Sequence, residues 1–207
     1  MPCSGSAIRI KKTRTAAERD EEKREQFRLT LATIAPERLV FLDECGVSLA
    51  LYWLYGWAKK SERCVEKVPC QRGVNRSLLG ALSLSGINAF VSQLGGFKRD
   101  DFEKFLAEKL LPTLAEGSVI VLDNARIHHG GDIAELVATA GCSLLYLPPY
   151  SPDMNPIELA WGWIKGRIRR ICARNDGTRE KSIEATITAL PREFIPEWFR
   201  KCGALQS

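Results

Sequence analysis

Three short apolar runs constrain this chain more than any other feature. RLVFL (38–42), VIVL (119–122) and LLYL (144–147) have the length of strands rather than helices. A strand with one wet face alternates apolar and polar residues, so unbroken runs of this length fit strands covered on both faces of a sheet. Around them lie segments with other periods. Residues 15–35 are rich in helix formers and are closed by Pro36. Residues 99–111 carry apolar side chains at 102, 105, 106, 110 and 111, a helical spacing that Asp100 or Asp101 can cap. Residues 132–140 and 179–190 read as further helices, the last one lying ahead of Pro191 and Pro196. The segment from Pro156 places Trp161, Ile164, Ile168 and Ile171 on one helical face. Two strand-like runs, 77–85 and 89–94, predict a hairpin turning near 86–88 and ending at Gly95 and Gly96. Residues 46–75, with the aromatic stretch YWLYGW (52–57), are expected as a surface β-ribbon. A strand pair followed by strands alternating with helices predicts an α/β fold, a mixed sheet flanked by helices.

Bulk properties narrow the function classes. At 207 residues and 45% apolar composition, the chain can bury one domain with appendages but not two full ones. No run approaches the roughly 18 apolar residues of a membrane span, and residues 1–14 are polar and basic without a signal-peptide core, so the cytoplasm is the expected compartment. Seven cysteines, an odd number without a CxxC pair, predict free thiols; the five residues between Cys64 and Cys70 suit zinc poorly. The net charge of +5 is concentrated. Residues 59–76 hold six Lys or Arg against two Glu, and residues 165–181, with Lys165, Arg167, Arg169 and Arg170, hold seven against two acids. Such segments are either solvated faces or phosphate-contacting surfaces.

Two of the apolar runs lead directly into an aspartate, VFLDE at Asp43 and IVLDN at Asp123. Taken singly, each is an ordinary turn-capping residue. If the strands are neighbours, however, the two carboxylates converge, and converging anions require a cation or a shared proton. Hard oxygen ligands of this kind suit Mg²⁺ or Mn²⁺. Glu158 is the third candidate. It completes a capping-box pattern with Asn155 and Pro156, in which its side chain serves only a backbone N–H. Against that, LPPYSPDMNP places four prolines in nine residues just ahead of it, a stiff loop that delivers the helix start to one place. Asp153 competes as third ligand but precedes the helix and suits the turn. Glu44, next to Asp43 on a strand, is expected to point to the opposite side.

FLDE (41–44), VLDNARIHH (121–129) and LPPYSPDMNPIELAWGWIK (147–165), with thirty-four residues between Asp123 and Glu158, resemble the catalytic domain of the Tc-mariner superfamily of DDE transposases. The resemblance is particularly to its bacterial insertion-sequence branch, of the IS six-thirty type, and covers about residues 15–175. It implies a ribonuclease-H-like fold and a metal triad of Asp43, Asp123 and Glu158 holding two Mg²⁺ or Mn²⁺ ions. It also implies cut-and-paste transposition of double-stranded DNA, commonly at TA dinucleotides, by a homodimer. Asn124 and His128 match the family's DN…H pattern; His128 either orients a water or phosphate or is a satisfied ring at a helix start. Lys165, two turns beyond Glu158 on the same face, is either a phosphate contact or an exposed lysine. The expected organisation is a basic tail and linker helix (1–36), the catalytic domain (37–175) and a helical extension (176–207). Only about 37 residues precede the first catalytic strand, so an upstream helix-turn-helix region or partner polypeptide is expected to supply DNA-end recognition. A nuclease without strand transfer and an inactive DNA-binding remnant are the alternatives.

Overall fold

The computed structural model describes residues 16–48, 57–65, 67, 75–171 and 176–205. Among these residues five strands form one sheet: β1 (Leu39–Val47), β2 (Arg76–Ser83), β3 (Gly86–Leu94), β4 (Val119–Leu122) and β5 (Ser143–Tyr146), in the order β3-β2-β1-β4-β5. The β1–β2 and β2–β3 pairs are antiparallel, whereas β1–β4 and β4–β5 are parallel. The first two apolar runs, β1 and β4, are therefore the central and inner strands expected of a mixed sheet, whereas the third, β5, lies at the sheet's edge and is only half-buried.

Among the described residues six α-helices cover it: α1 (Glu21–Ala32), α2 (Arg99–Phe105), α3 (Ile133–Thr139), α4 (Pro156–Ile171), α5 (Asp176–Thr188) and α6 (Ile195–Lys201). The strand alternation of β1 sorts them into two layers. Leu39, Phe41, Cys45 and Val47 face one core with Phe27 and Leu31 of α1, Trp161 and Ile164 of α4, Ile183 of α5 and Phe199 of α6. Val40 and Leu42 face the other, with Phe102 and Phe105 of α2 and Ile133 and Val137 of α3. Both flanking segments, before 37 and after 175, thus share a core with the residues between. No helix among the described residues is long and apolar enough to cross a membrane.

Several sequence expectations shift for identifiable reasons. β1 runs on past Asp43 to Val47 because β2 pairs with it there, Asp43 opposite Gly80 and Val47 opposite Arg76; Asp43 is a mid-strand residue, not a strand end. The hairpin turns at Leu84 and Ser85, with Ser83 paired to Gly86; the register shift between Ala81 and Leu82 leaves Asn88 unpaired as a bulge inside β3. Asp20 caps α1 by accepting from Lys23 N at 3.0 Å, so that helix begins later than the composition suggested. Asp101 accepts from Lys98 N at 2.9 Å at the start of α2, which ends in a π turn over Leu106–Leu110. Ile171 does not join the buried face of α4, being 47% exposed at its last residue. Pro196 does not stop a helix but stands in the first turn of α6, where its missing N–H has no intrahelical partner to lose. The expected β-ribbon falls largely outside the described residues; 57–65 are irregular, and Cys64 is exposed and free.

One close approach fixes α4 on the sheet. Trp161, 1% exposed, lies over Gly80 of β2. A Cβ on Gly80 would stand 2.8 Å from the indole Cη2 and 3.2 Å from Cζ2. Only a residue without a side chain admits the ring at this distance. Gly80→Ala is expected to lower unfolding stability by about 1–3 kcal/mol, the range typical of overpacking a filled core, measured as a fall in urea midpoint with an unchanged slope.

Candidate active site

The parallel register of β1 and β4 pairs Phe41 with Val121, and two residues further on brings Asp43 level with Asp123. Both aspartates follow the parity of Phe41 and Val121, the residues facing α4. Glu158 enters the same cavity from the first turn of α4. The cavity, of about 430 Å³, is lined by Asp43, Asp123, Asn124, Tyr150, Asn155 and Glu158 together with the prolines of the 148–152 loop. The three acids, widely separated in sequence, are therefore brought together.

The capping box that competed for Glu158 is not formed. Asn155 N–H donates to Pro152 O at 3.1 Å, leaving no amide there for the glutamate. The Asn155 Oδ1 is buried without a hydrogen-bond partner, and Glu158 is exposed to the cavity. The loop ahead is stiff, as expected, and its turn is tightened by Tyr150, which takes a left-handed backbone (φ 55°) and is 58% exposed at the cavity rim. Ser151 Oγ donates to Pro149 O at 3.1 Å. Asn124 ties the end of β4 to this loop, its Nδ2 donating to Leu147 O at 2.7 Å.

The two aspartates are electrostatically unlike. Burial, reinforced by the charge of Glu158 and less by Asp123 and Glu44, lifts Asp43 to about 7, although Glu44 N donates to its Oδ1 at 2.7 Å. Asp123 is held below the ordinary carboxylate range, first by its hydrogen bond from His128 and also by Ala125 N, against the opposing effect of burial. His128 Nδ1 stands 2.7 Å from Asp123 Oδ1. Burial depresses the imidazole, but its carboxylate partners, Asp123 foremost, outweigh this and raise it to about 9.

His128 is 2% exposed and its ring lies against Phe102, centroids 4.5 Å apart. It sits behind Asp123 rather than in the cavity. Its Nε2 is 3.6 Å from Glu44 Oε1, just beyond hydrogen-bonding distance, and both atoms are buried without another partner. Glu44 does point to the far side of the strand, as alternation requires, yet there it faces the histidine that holds Asp123. The adjacency of two acids in FLDE was the only sequence signal for it. Tyr146 fixes the same segment by donating to His128 O at 3.0 Å.

The basic candidates are not cavity residues. Lys165 is half-buried on α4, close enough to Cys45 for its charge to act on that thiol. Arg167 and Arg170 are exposed and Arg169 is half-buried. Asp153 points away from the acids and pairs with Arg24.

A family model described as DDE superfamily endonuclease matches residues 38–178, more than half of the chain. The chain belongs to this family. It is 27% identical over 134 residues to the Tcb1 transposable-element transposase of Caenorhabditis briggsae, covering 61% of this chain and 49% of that protein. The Mos1 transposase paired-end complex with the left transposon end has a TM-score of 0.78 at 16% identity, covering 96% of this chain and 64% of that one. The mariner Mos1 paired-end complex with Mg has a TM-score of 0.73 at 15% identity, covering 97% and 66%. The chain thus spans about half the length of the curated relative. The ribonuclease-H-like expectation holds: this DDE-family chain has the mixed five-stranded sheet and flanking helices of the Mos1 catalytic region.

The raised proton affinity of Asp43 sets a pH dependence for the metal-free protein. Between about 4 and 7 the folded state holds a proton that the unfolded chain has lost, so stability falls as pH rises through that window. Asp43→Asn is expected to flatten this slope and to stabilise the metal-free protein above pH 7. The gain is a few kcal/mol at most, at about 1.4 kcal/mol per tenfold change in proton affinity, read from urea midpoints at pH 5 and pH 8.

Proposed function

We propose that this chain is the catalytic domain of a DDE transposase that cuts DNA and joins the freed 3′ end to a target, with Asp43, Asp123 and Glu158 as its metal-binding acids. The single observation that carries the reading is the meeting of these three carboxylates in one cleft with no Lys or Arg paired to any of them among the described residues. Asp123 is offset by His128 behind it, but burial and the neighbouring charge of Glu158 raise Asp43, which has no cationic partner among the described residues; a divalent cation is what such a set lacks.

The fit is that of an open site. Among the described residues no three His, Cys, Asp or Glu side chains stand close enough to grip one ion together. Mg²⁺ needs no such cage, since it keeps several waters and takes one or two carboxylates. Asp43, on which the charges of both Glu158 and Asp123 act, would serve both ions, with Asp123 holding one and Glu158 the other, and Mg²⁺ or Mn²⁺ would suit this oxygen donor set. When bound, the ions supply an activated water or 3′-OH and stabilise the leaving oxygen.

The chain's own residues hold that arrangement. His128 fixes the Asp123 carboxylate from behind. The proline loop and Trp161 fix where α4, and hence Glu158, begins. Asn124 at the rim and Lys165, Arg167, Arg169 and Arg170 along α4 are the proposed DNA contacts, the last four as phosphate-binding cations.

The Mos1 relatives are complexes with transposon-end DNA and with Mg, which supports double-stranded DNA as substrate and a divalent metal as cofactor. We assign the chain to the bacterial insertion-sequence branch, acting in the cytoplasm as a homodimer on DNA ends bound by an upstream helix-turn-helix region or by a partner polypeptide.

The test is nicking and joining of plasmid DNA by the chain, alone and joined to an end-binding domain. We expect nicking that needs Mg²⁺ or Mn²⁺, stops with EDTA, and falls about a hundredfold or more in Asp43→Asn, Asp123→Asn and Glu158→Gln. Covalent joining of a labelled 3′-OH end is expected in the same reaction. Nicking without joining would leave a nuclease, and neither activity an inactive remnant.

A further inference from the structure

Asp153 was a rival for the third metal ligand, and its actual engagement is informative. It lies in the single turn Pro152–Met154, just ahead of Asn155 and five residues before Glu158. Both its oxygens are taken by Arg24 of α1, 129 residues away. Arg24 Nη1 donates to Oδ1 at 3.0 Å and Nη2 to Oδ2 at 2.7 Å, a two-pronged match of guanidinium and carboxylate. Arg19 adds a second guanidinium 3.8 Å from Oδ2.

Arg24 is 1% exposed, among the most buried large side chains described. Burying a guanidinium is costly, and the cost is offset only where its partner is held in one geometry. Here the fixed partner is a loop residue whose neighbours Pro152, Asn155 and Glu158 line the acidic cavity on the loop's other side. The side of the loop that is clamped and the side that carries chemistry are joined by one rigid, proline-rich turn. The helix that supplies the clamp lies upstream of the family-matched span, 38–178.

We propose that Arg24 is a positioning residue, acting through Asp153 to set the place of Glu158, so that α1 is a working part of the metal site. The inference rests on the reading of Asp43, Asp123 and Glu158 as metal-binding acids. A carboxylate delivered by a stiff loop is only as well placed as the loop's own anchor, and a two-pronged pair fixes rotation as well as distance.

The experiment uses the full chain with Arg24→Met, which keeps the apolar stem, Arg24→Lys, which keeps the charge but not the fork, and Asp153→Asn. Three quantities are read: Mn²⁺ affinity from the electron paramagnetic resonance of free Mn²⁺, hydrogen exchange of the amides of 154–158, and urea midpoint. Arg24→Met and Asp153→Asn are expected to weaken Mn²⁺ about tenfold, as loss of an outer support does, and to speed exchange at 154–158 while the β1 and β4 amides keep their protection. Arg24→Lys falls between them and the parent. A merely structural pair would lower the urea midpoint and leave Mn²⁺ affinity and the 154–158 amides unchanged, and that result overturns the proposal. Should Arg24→Met not fold, Asp153→Asn, altered at a half-exposed residue, decides. If the parent chain binds no Mn²⁺, the metal reading of the acids fails, while exchange at 154–158 still decides whether Arg24 orders the loop.

Discussion

The parallel pairing of β1 with β4 is the constraint from which the site follows. It sets Asp43 and Asp123 side by side on one face of the sheet, where two carboxylates repel and one is partly buried. The sheet's pairing energy holds them there: apolar neighbours on both faces, Phe41 and Val121 toward α4 and Leu42 and Leu122 toward α2, have no alternative register that keeps them dry. The electrostatic cost appears locally, in the raised Asp43, and is eased at Asp123 by the histidine behind it.

Much of this was legible in the chain. Strand-length apolar runs ending near acids identified the sheet and two of the site's residues, since burial on both faces leaves a signature that no helix of that length would carry. Glu158 was legible only in part. Its local pattern belongs equally to a helix cap, and what separates the readings is where Asn155 N–H goes, a matter of loop geometry. The extent of β1 was hidden because strand ends depend on a partner, and β2 lies far along the chain. The role of His128 was open for the same reason: whether an imidazole faces solvent or a carboxylate is settled by Phe102 and Glu44, remote in sequence.

What sequence could not show is how the flanks take part. Two buried arginines tie them in: Arg24 to Asp153, and Arg179 of α5, whose Nη1 donates to Val47 O at 3.1 Å at the far end of β1. Both contacts join residues more than 100 positions apart and involve charged side chains, which hydropathy patterns assign to the surface. The helices they come from, α1 and α5, are only weakly amphipathic by sequence, so their place against the sheet depends on these few polar anchors as well as on Phe27 and Leu31 of α1 and Ile183 and Ile187 of α5.

The seat of Trp161 over Gly80 carries a consequence for how such a chain can diverge. The two positions are not free to drift separately: a side chain acquired at 80 leaves no room for an indole at 161, and a small residue at 161 opens a void that only a larger residue at 80 refills. Since position 161 lies one turn beyond Glu158, a mismatch between the pair tilts the helix that bears the acid. Related chains should therefore exchange bulk across this contact in compensating steps, and a lineage caught between steps would lose its chemistry before it lost its fold.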